Sequence, residues 1–61
     1  ELYVIKQNVS GNWVGYIRTG EMSWHWFNDT YYDTKQECED AIKKWMKTNK
    51  PGANGWFSRK G

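Results

Sequence analysis

The 61-residue sequence has one cysteine, one proline and one histidine, and it lacks any long apolar run. A lone cysteine cannot form an internal disulfide, whereas small secreted domains usually carry several, so we expect a reducing, cytoplasmic location. No stretch approaches the roughly 18 apolar residues of a membrane-spanning helix. The sequence therefore predicts no membrane partner.

The same scarcity disfavours metal and catalytic chemistry. A zinc site needs clustered ligands, but His25 and Cys38 fall on different predicted elements, with no CxxC or HxxxH spacing. Cys38 also lies among the apolar positions of a predicted helix, where a small buried hydrophobe is expected. No glycine-rich phosphate-binding loop is present. We predict a chain that is not an enzyme and that holds no metal or cofactor.

Aromatic residues, in contrast, are abundant, at 18% of the chain, with five Trp, four Tyr and two Phe. Each enclosed Trp or Tyr buries roughly 150–250 Å², so a sheet with one helix can hide about half of them. The surplus centres on Tyr16, Trp24, Trp26, Tyr31, Tyr32, Trp56 and Phe57. We expect at least two of these to be exposed, because Trp and Tyr are favoured at binding hot spots. The alternative is that aromatics thicken a thin core.

The charges are divided unevenly along the chain. Residues 1–40 carry seven acids and three bases, whereas residues 41–61 carry six bases and no acid. These six bases form a predicted basic pole, which comprises Lys43, Lys44, Lys47, Lys50, Arg59 and Lys60. The basic pole could contact phosphates or an acidic protein. The helical lysines could equally be solvated groups that complement the helix dipole.

Three segments have the composition of β-strands: residues 2–7, 12–18 and 22–27. The first two flank an Asn-Val-Ser-Gly turn and should form a hairpin. Alternation places Trp24 and Trp26 on one face of the third strand and His25 on the other. The pattern does not decide which face packs inward. His25 could titrate near neutral pH or be a simple polar face residue.

A helix is predicted over residues 35–47. Thr34 and Glu37 have the spacing of a capping box, in which each side chain bonds the other residue's amide. The apolar positions that follow recur on a 3.6-residue period, which should cover the sheet: Cys38, Ala41, Ile42, Trp45 and Met46. Pro51 and Gly52 end the helix. The tail, 50–61, contains Trp56 and Phe57, which we expect to dock back on the domain.

These elements predict an α+β fold, in which a three-stranded antiparallel sheet packs against one C-terminal amphipathic helix and an aromatic-containing tail follows. A chain this short buries only roughly 60% of its unfolded surface. A single β-β-β-α domain over 1–61 is therefore the only reasonable division.

The strand start Gly11-Asn12-Trp13 and the helix start Thr34-Lys35-Gln36-Glu37 resemble the AP2-like N-terminal DNA-binding domain of phage and transposon integrases. In layout the resemblance covers roughly residues 3–47. It implies a three-stranded sheet with one helix, and it implies that the exposed sheet face enters the DNA major groove. On that resemblance Arg18 and Tyr16 would belong to the surface that reads DNA.

Two functions remain as hypotheses. The first is a small non-catalytic protein-binding module, an accessory or inhibitor of the kind that phages and mobile elements encode against a protein of the bacterial host cell. Its partner would present an acidic or apolar surface to the candidate residues Tyr16, Arg18, Trp24, His25, Trp26 and Trp56. The alternative is a DNA-binding domain of the integrase-arm type that uses the sheet or the basic pole. An exposed edge strand could also pair two copies, so the oligomeric state stays open.

Overall fold

The computed structural model describes residues 2–58 of the chain. The strands β1 (Tyr3–Gln7), β2 (Trp13–Gly20) and β3 (Ser23–Trp26) are followed by the helix α1 (Lys35–Thr48). The strands form one antiparallel sheet in the order β1-β2-β3. The predicted α+β layout is confirmed, and the element ends differ from the predicted ones by no more than two residues.

The first hairpin is regular along its whole length. Its register runs without a break from Tyr3 opposite Ile17 to Gln7 opposite Trp13. The side-chain oxygen of Asn8 accepts hydrogen bonds from the amides of Ser10 and Asn12, each at 3.0 Å. The turn thus closes on an Asn side chain, which is a common device where the chain must reverse within a few residues.

The second hairpin is less regular than the first. β2 continues to Gly20, two residues beyond its predicted end, and the register shifts between Arg18 and Gly20. Past β3, Tyr32 returns to the sheet and exchanges two backbone hydrogen bonds with Trp13, at 2.7 and 2.9 Å. This single bridge extends the sheet beside β2 and leads the chain to the helix.

The helix begins at the capping box that its sequence predicts. The Thr34 hydroxyl accepts from the Glu37 amide at 3.1 Å, and the Glu37 carboxylate accepts from the Thr34 amide at 3.2 Å. At the other end, the amide of Asn49 donates to the carbonyl of Trp45 at 3.1 Å. Both ends of α1 therefore satisfy backbone groups that would otherwise lack partners.

One face of the sheet packs against α1, and it is the face of Tyr3, Ile5 and Ile17. The core cluster consists of five buried residues: Ile17, Phe27, Cys38, Ile42 and Phe57. The predicted helix stripe is confirmed, because Cys38 and Ile42 are fully buried and the other members pack against the core. This cluster between the sheet and the helix is the only hydrophobic core cluster among residues 2–58.

The tail docks on the sheet, as predicted for its aromatic pair. The Phe57 amide donates to the carbonyl of Arg18 at 2.9 Å, in line with the end of β1. The Phe57 ring is 3% exposed and lies 5.1 Å from the Trp45 ring, measured between centroids. Arg59 and Lys60 lie outside the described residues.

Candidate functional site

The face of the sheet opposite α1 is the candidate site, and we call it the open face. It consists of Val4, Lys6, Tyr16, Arg18, Trp24 and Trp26 on the strands and Tyr31 in the loop after β3. The alternation of side chains across the pleat puts the strand residues on one side. Val14 also lies on this side, but it is only 3% exposed.

The aromatic rings of the open face contact one another. The rings of Tyr16 and Trp26 lie opposite each other on β2 and β3, with centroids 6.2 Å apart. Tyr31 meets Trp26 edge to face at 5.3 Å. Such pairs are worth about 0.5–1.5 kcal/mol beyond the area they bury, so the rings hold each other in place. Trp24 and Tyr31 nevertheless remain 39% and 56% exposed.

The two cationic side chains on the open face differ in whether other groups of the chain hold them in place. The guanidinium of Arg18 lies 5.7 Å from the Trp24 ring centroid and donates to the carbonyls of Gly20 and Glu21 at 3.2 and 2.7 Å. It is thus fixed at the β2–β3 turn. The Lys6 side chain is exposed, and its ammonium makes no ion pair or hydrogen bond within residues 2–58.

A shallow cavity of about 490 Å³ opens on this face. Its walls are Val4, Lys6, Tyr16, Trp24 and Trp26. Apolar rings therefore lie within reach of a free ammonium group, an arrangement suited to an apolar side chain with a neighbouring carboxylate.

The remaining partner-binding candidates, His25 and Trp56, do not join the open face. His25 lies opposite Ile17 on β2, so it points to the helix side of the sheet. Together with Trp56 it lines a separate cavity of about 900 Å³ between the second hairpin and the tail. The Nδ1 atom of His25 is 2.6 Å from the Thr19 hydroxyl. The sequence prediction had grouped His25 and Trp56 with residues that lie on the other face of the sheet.

The described members of the basic pole, Lys43, Lys44, Lys47 and Lys50, are all exposed. The ammonium of Lys43 is 3.8 Å from the Glu39 carboxylate, one helical turn away. Three of these lysines line a further groove on α1, beside Phe27 and Trp45. Lys43, Lys44 and Lys47 therefore lie on a helix surface that is separate from the open face.

Three further observations bear on the chemistry of the chain. Among residues 2–58 no three His, Cys, Asp or Glu side chains come together as metal ligands. In the same part of the chain no helix is both long and apolar enough to cross a membrane. Cys38 is fully buried on α1, and desolvation raises the pKa of its thiol above the ordinary value. Its reactive thiolate form is therefore disfavoured.

The list of partner-binding candidates omitted three open-face residues, Val4, Lys6 and Tyr31, although Tyr31 was named among the surplus aromatics. Strand alternation did place Val4 and Lys6 on the other face of the sheet from Ile5, but it could not say which face the helix covers. Tyr31 joins the open face only because Tyr32 forms the bridge to Trp13, which turns adjacent side chains to opposite sides. The available signal in the sequence was the Tyr31-Tyr32 pair, because adjacent residues of an extended segment point to opposite faces of a sheet.

Comparison with known protein families, curated proteins and solved structures gave no match. The resemblance to the integrase arm-binding domain therefore stays a prediction.

Proposed function

We propose that this chain is a non-catalytic protein-binding module that docks its open face on a partner protein. The observation that carries the proposal is the contrast between the two sides of the sheet. One side is covered by α1 and Phe57, whereas the other leaves Trp24 and Tyr31 exposed among contacting rings.

Rigid aromatic surfaces support binding for an energetic reason. A ring already held by its neighbours loses little side-chain entropy when a partner covers it. Trp26 is held between Tyr16 and Tyr31, so a partner meets a preorganised surface. Trp and Tyr in such settings commonly dominate binding energy.

The charges of the open face support a partner with an acidic as well as an apolar surface. The strand positions of this face contain two cations, Lys6 and Arg18, and no carboxylate. Complementary charge raises association rates and disfavours wrong partners. In biological terms, the proposal describes an accessory or inhibitor protein of a phage or mobile element that acts on a protein of its host.

The test is affinity capture from bacterial lysate with three immobilised chains: wild type, Trp24→Ala and Met22→Ala. Met22 is 90% exposed in the β2–β3 turn, so its variant is a control for loss of an exposed apolar side chain outside the open face. We expect a protein retained by wild type and Met22→Ala and lost with Trp24→Ala. Equal retention by all three folded chains would contradict the proposal.

DNA binding is the second candidate, and the cations of the open face and of the basic pole favour it. It predicts affinity for duplex DNA that falls steeply as salt rises, because each neutralised phosphate releases counterions. Titration of a labelled duplex at low and high salt separates the two candidates. Salt-sensitive duplex binding that Lys6→Ala and Lys44→Ala weaken would favour DNA over protein.

A further inference from the structure

The outer edge of β1 carries backbone groups that face away from the sheet. The Arg18 amide donates to the Leu2 carbonyl at one end, and the Asn8 amide donates to the Asn12 carbonyl at the other. In an antiparallel pair, such hydrogen-bonded positions alternate with positions whose groups point outward. The amides and carbonyls of Tyr3, Ile5 and Gln7 therefore point away from β2, and none has a hydrogen-bond partner within residues 2–58.

This edge lacks most of the features that usually protect a strand from pairing. Proteins blunt their edge strands with proline, bulges, very short length or charged side chains, and of these β1 has only the charge of Lys6. β1 has five residues, no proline and an unbroken register. β3, at the opposite edge, has four residues and a register shift against β2. Of the two edge strands, β1 is the better suited to pair with an added strand.

A groove runs beside β1 on the helix side. It has a volume of about 580 Å³, and its walls are Leu2, Tyr3, Val4, Ile5, Lys35, Glu39 and Met46. The last three residues lie along one side of α1. A strand added to β1 would therefore place every second side chain between the sheet and the helix.

We infer that the β1 edge is a second binding site, which takes an extended segment of a partner protein as a fourth strand. The segment alternates apolar and acidic residues. Cross-strand neighbours share a face of the sheet, so residues opposite Tyr3 and Ile5 enter the groove and contact Met46, where apolar side chains fit. A residue opposite Lys6 lies on the open face, where a carboxylate pairs with the free ammonium.

This inference goes beyond the proposed function, because backbone hydrogen bonds rather than aromatic anchors hold the added strand. The two proposals can therefore fail separately. Trp24 is not a wall of the β1 groove, so Trp24→Ala should abolish capture on the open face and leave strand addition intact.

The probe is a seven-residue peptide of alternating Val and Glu with blocked ends, compared with its Val and Lys counterpart. Binding is followed by NMR through the amide signals of residues 3–7. We expect the wild-type chain to prefer the Glu peptide and Lys6→Glu to prefer the Lys peptide. A cross-strand charge pair contributes up to about 1 kcal/mol, so the preference should be roughly two- to fivefold. Lys50→Glu makes the same change in net charge elsewhere and should keep the wild-type order.

The backbone is tested directly in a chemically synthesised chain with an N-methyl group on Ile5, which removes one outward donor and leaves the side chain unchanged. We expect at least a fivefold loss of affinity for the Glu peptide. N-methylation of Val9, which is fully exposed in the turn, is the matched control and should change nothing.

Two results would overturn the inference. One is undiminished peptide binding by the folded N-methyl-Ile5 chain, which would place the peptide elsewhere. The other is a wild-type chain that ignores both peptides but forms dimers that Ile5 N-methylation disrupts. The edge would then serve a second copy of the chain rather than a partner segment.

Discussion

A Cβ atom placed on Gly15 would lie 2.8 Å from Cε1 of Phe27, closer than such atoms approach in real proteins. The Phe27 ring occupies this space because the chain beyond β3 continues beside β2, where the Phe27 amide donates to the Gly15 carbonyl at 3.2 Å. The missing side chain at position 15 thus lets an aromatic ring lie directly on the sheet backbone.

Gly15→Ala should therefore destabilise the domain, even though alanine is ordinarily more favourable than glycine inside a strand. Overpacking of a well-packed core typically costs about 1–3 kcal/mol. Phe27→Leu should cost stability alone but reduce the penalty of Gly15→Ala in the double variant. Urea unfolding of the four chains gives the coupling, and strictly additive effects would mean that the ring and the added methyl group do not compete.

The capping box makes a prediction about the start of α1. Thr34→Ala removes the acceptor for the Glu37 amide and should lower the free energy of unfolding by about 1 kcal/mol. Thr30→Ala, which alters an exposed hydroxyl in the loop before the helix, is the control. Thermal unfolding followed by circular dichroism compares the two variants, and equal melting temperatures would show that the cap contributes nothing.

Phe57 should be required for folding. Its ring is buried against Trp45, and truncation of a buried Phe to Ala typically costs about 3–5 kcal/mol. Natural domains have only about 5–15 kcal/mol of stability, and one this small lies near the lower end. Phe57→Ala should therefore leave much of the chain unfolded at 37 °C. Val9→Ala should stay within about 0.5 kcal/mol of wild type by urea unfolding.

Cys38 gives a prediction about alkaline pH. Burial raises the pKa of its thiol in the folded chain, so the unfolded state loses this proton first as pH rises. The stabilisation is complete below the ordinary thiol pKa of about 8.5 and is lost as pH rises through the folded value. Cys38→Ala should lower the free energy of unfolding at neutral pH. It should also remove the part of the fall in this free energy at alkaline pH that comes from the thiol.

A labelling experiment checks the burial of Cys38 independently. A thiol reagent should modify the native chain slowly and the urea-unfolded chain rapidly, at a rate set by opening of the domain. Rapid labelling under native conditions would contradict the placement of Cys38 in the core.

The strands and the helix could be predicted because their signals are local. Thr34 and Glu37 are three residues apart, and the first hairpin is defined by one turn between two alternating segments. The covered side of the sheet could not be predicted, since Trp13 and Tyr16 are both aromatic and point to opposite faces. The two faces differ at Gly15, where the missing side chain leaves room for the Phe27 ring on the helix side, and no local pattern in the sequence links residue 15 to residue 27.

The candidate site shows the same limit. Trp24, Trp26 and Tyr16 were chosen for their chemistry, and the fold brings them together. Trp56 was chosen on the same grounds, but its position depends on how the tail meets the second hairpin, where it lines a cavity with His25. No spacing in the sequence relates residue 56 to residue 25.

The hydrogen bond between Phe57 and Arg18 has a consequence for biosynthesis. The sheet and the helix are complete once residue 48 has been made, but the side chain that covers Trp45 comes nine residues later. A nascent chain that stops short of residue 57 therefore exposes the Trp45 side of its core, where chaperones and proteases recognise unfinished proteins. Native structure in this chain is reached only after residue 57 has been synthesised.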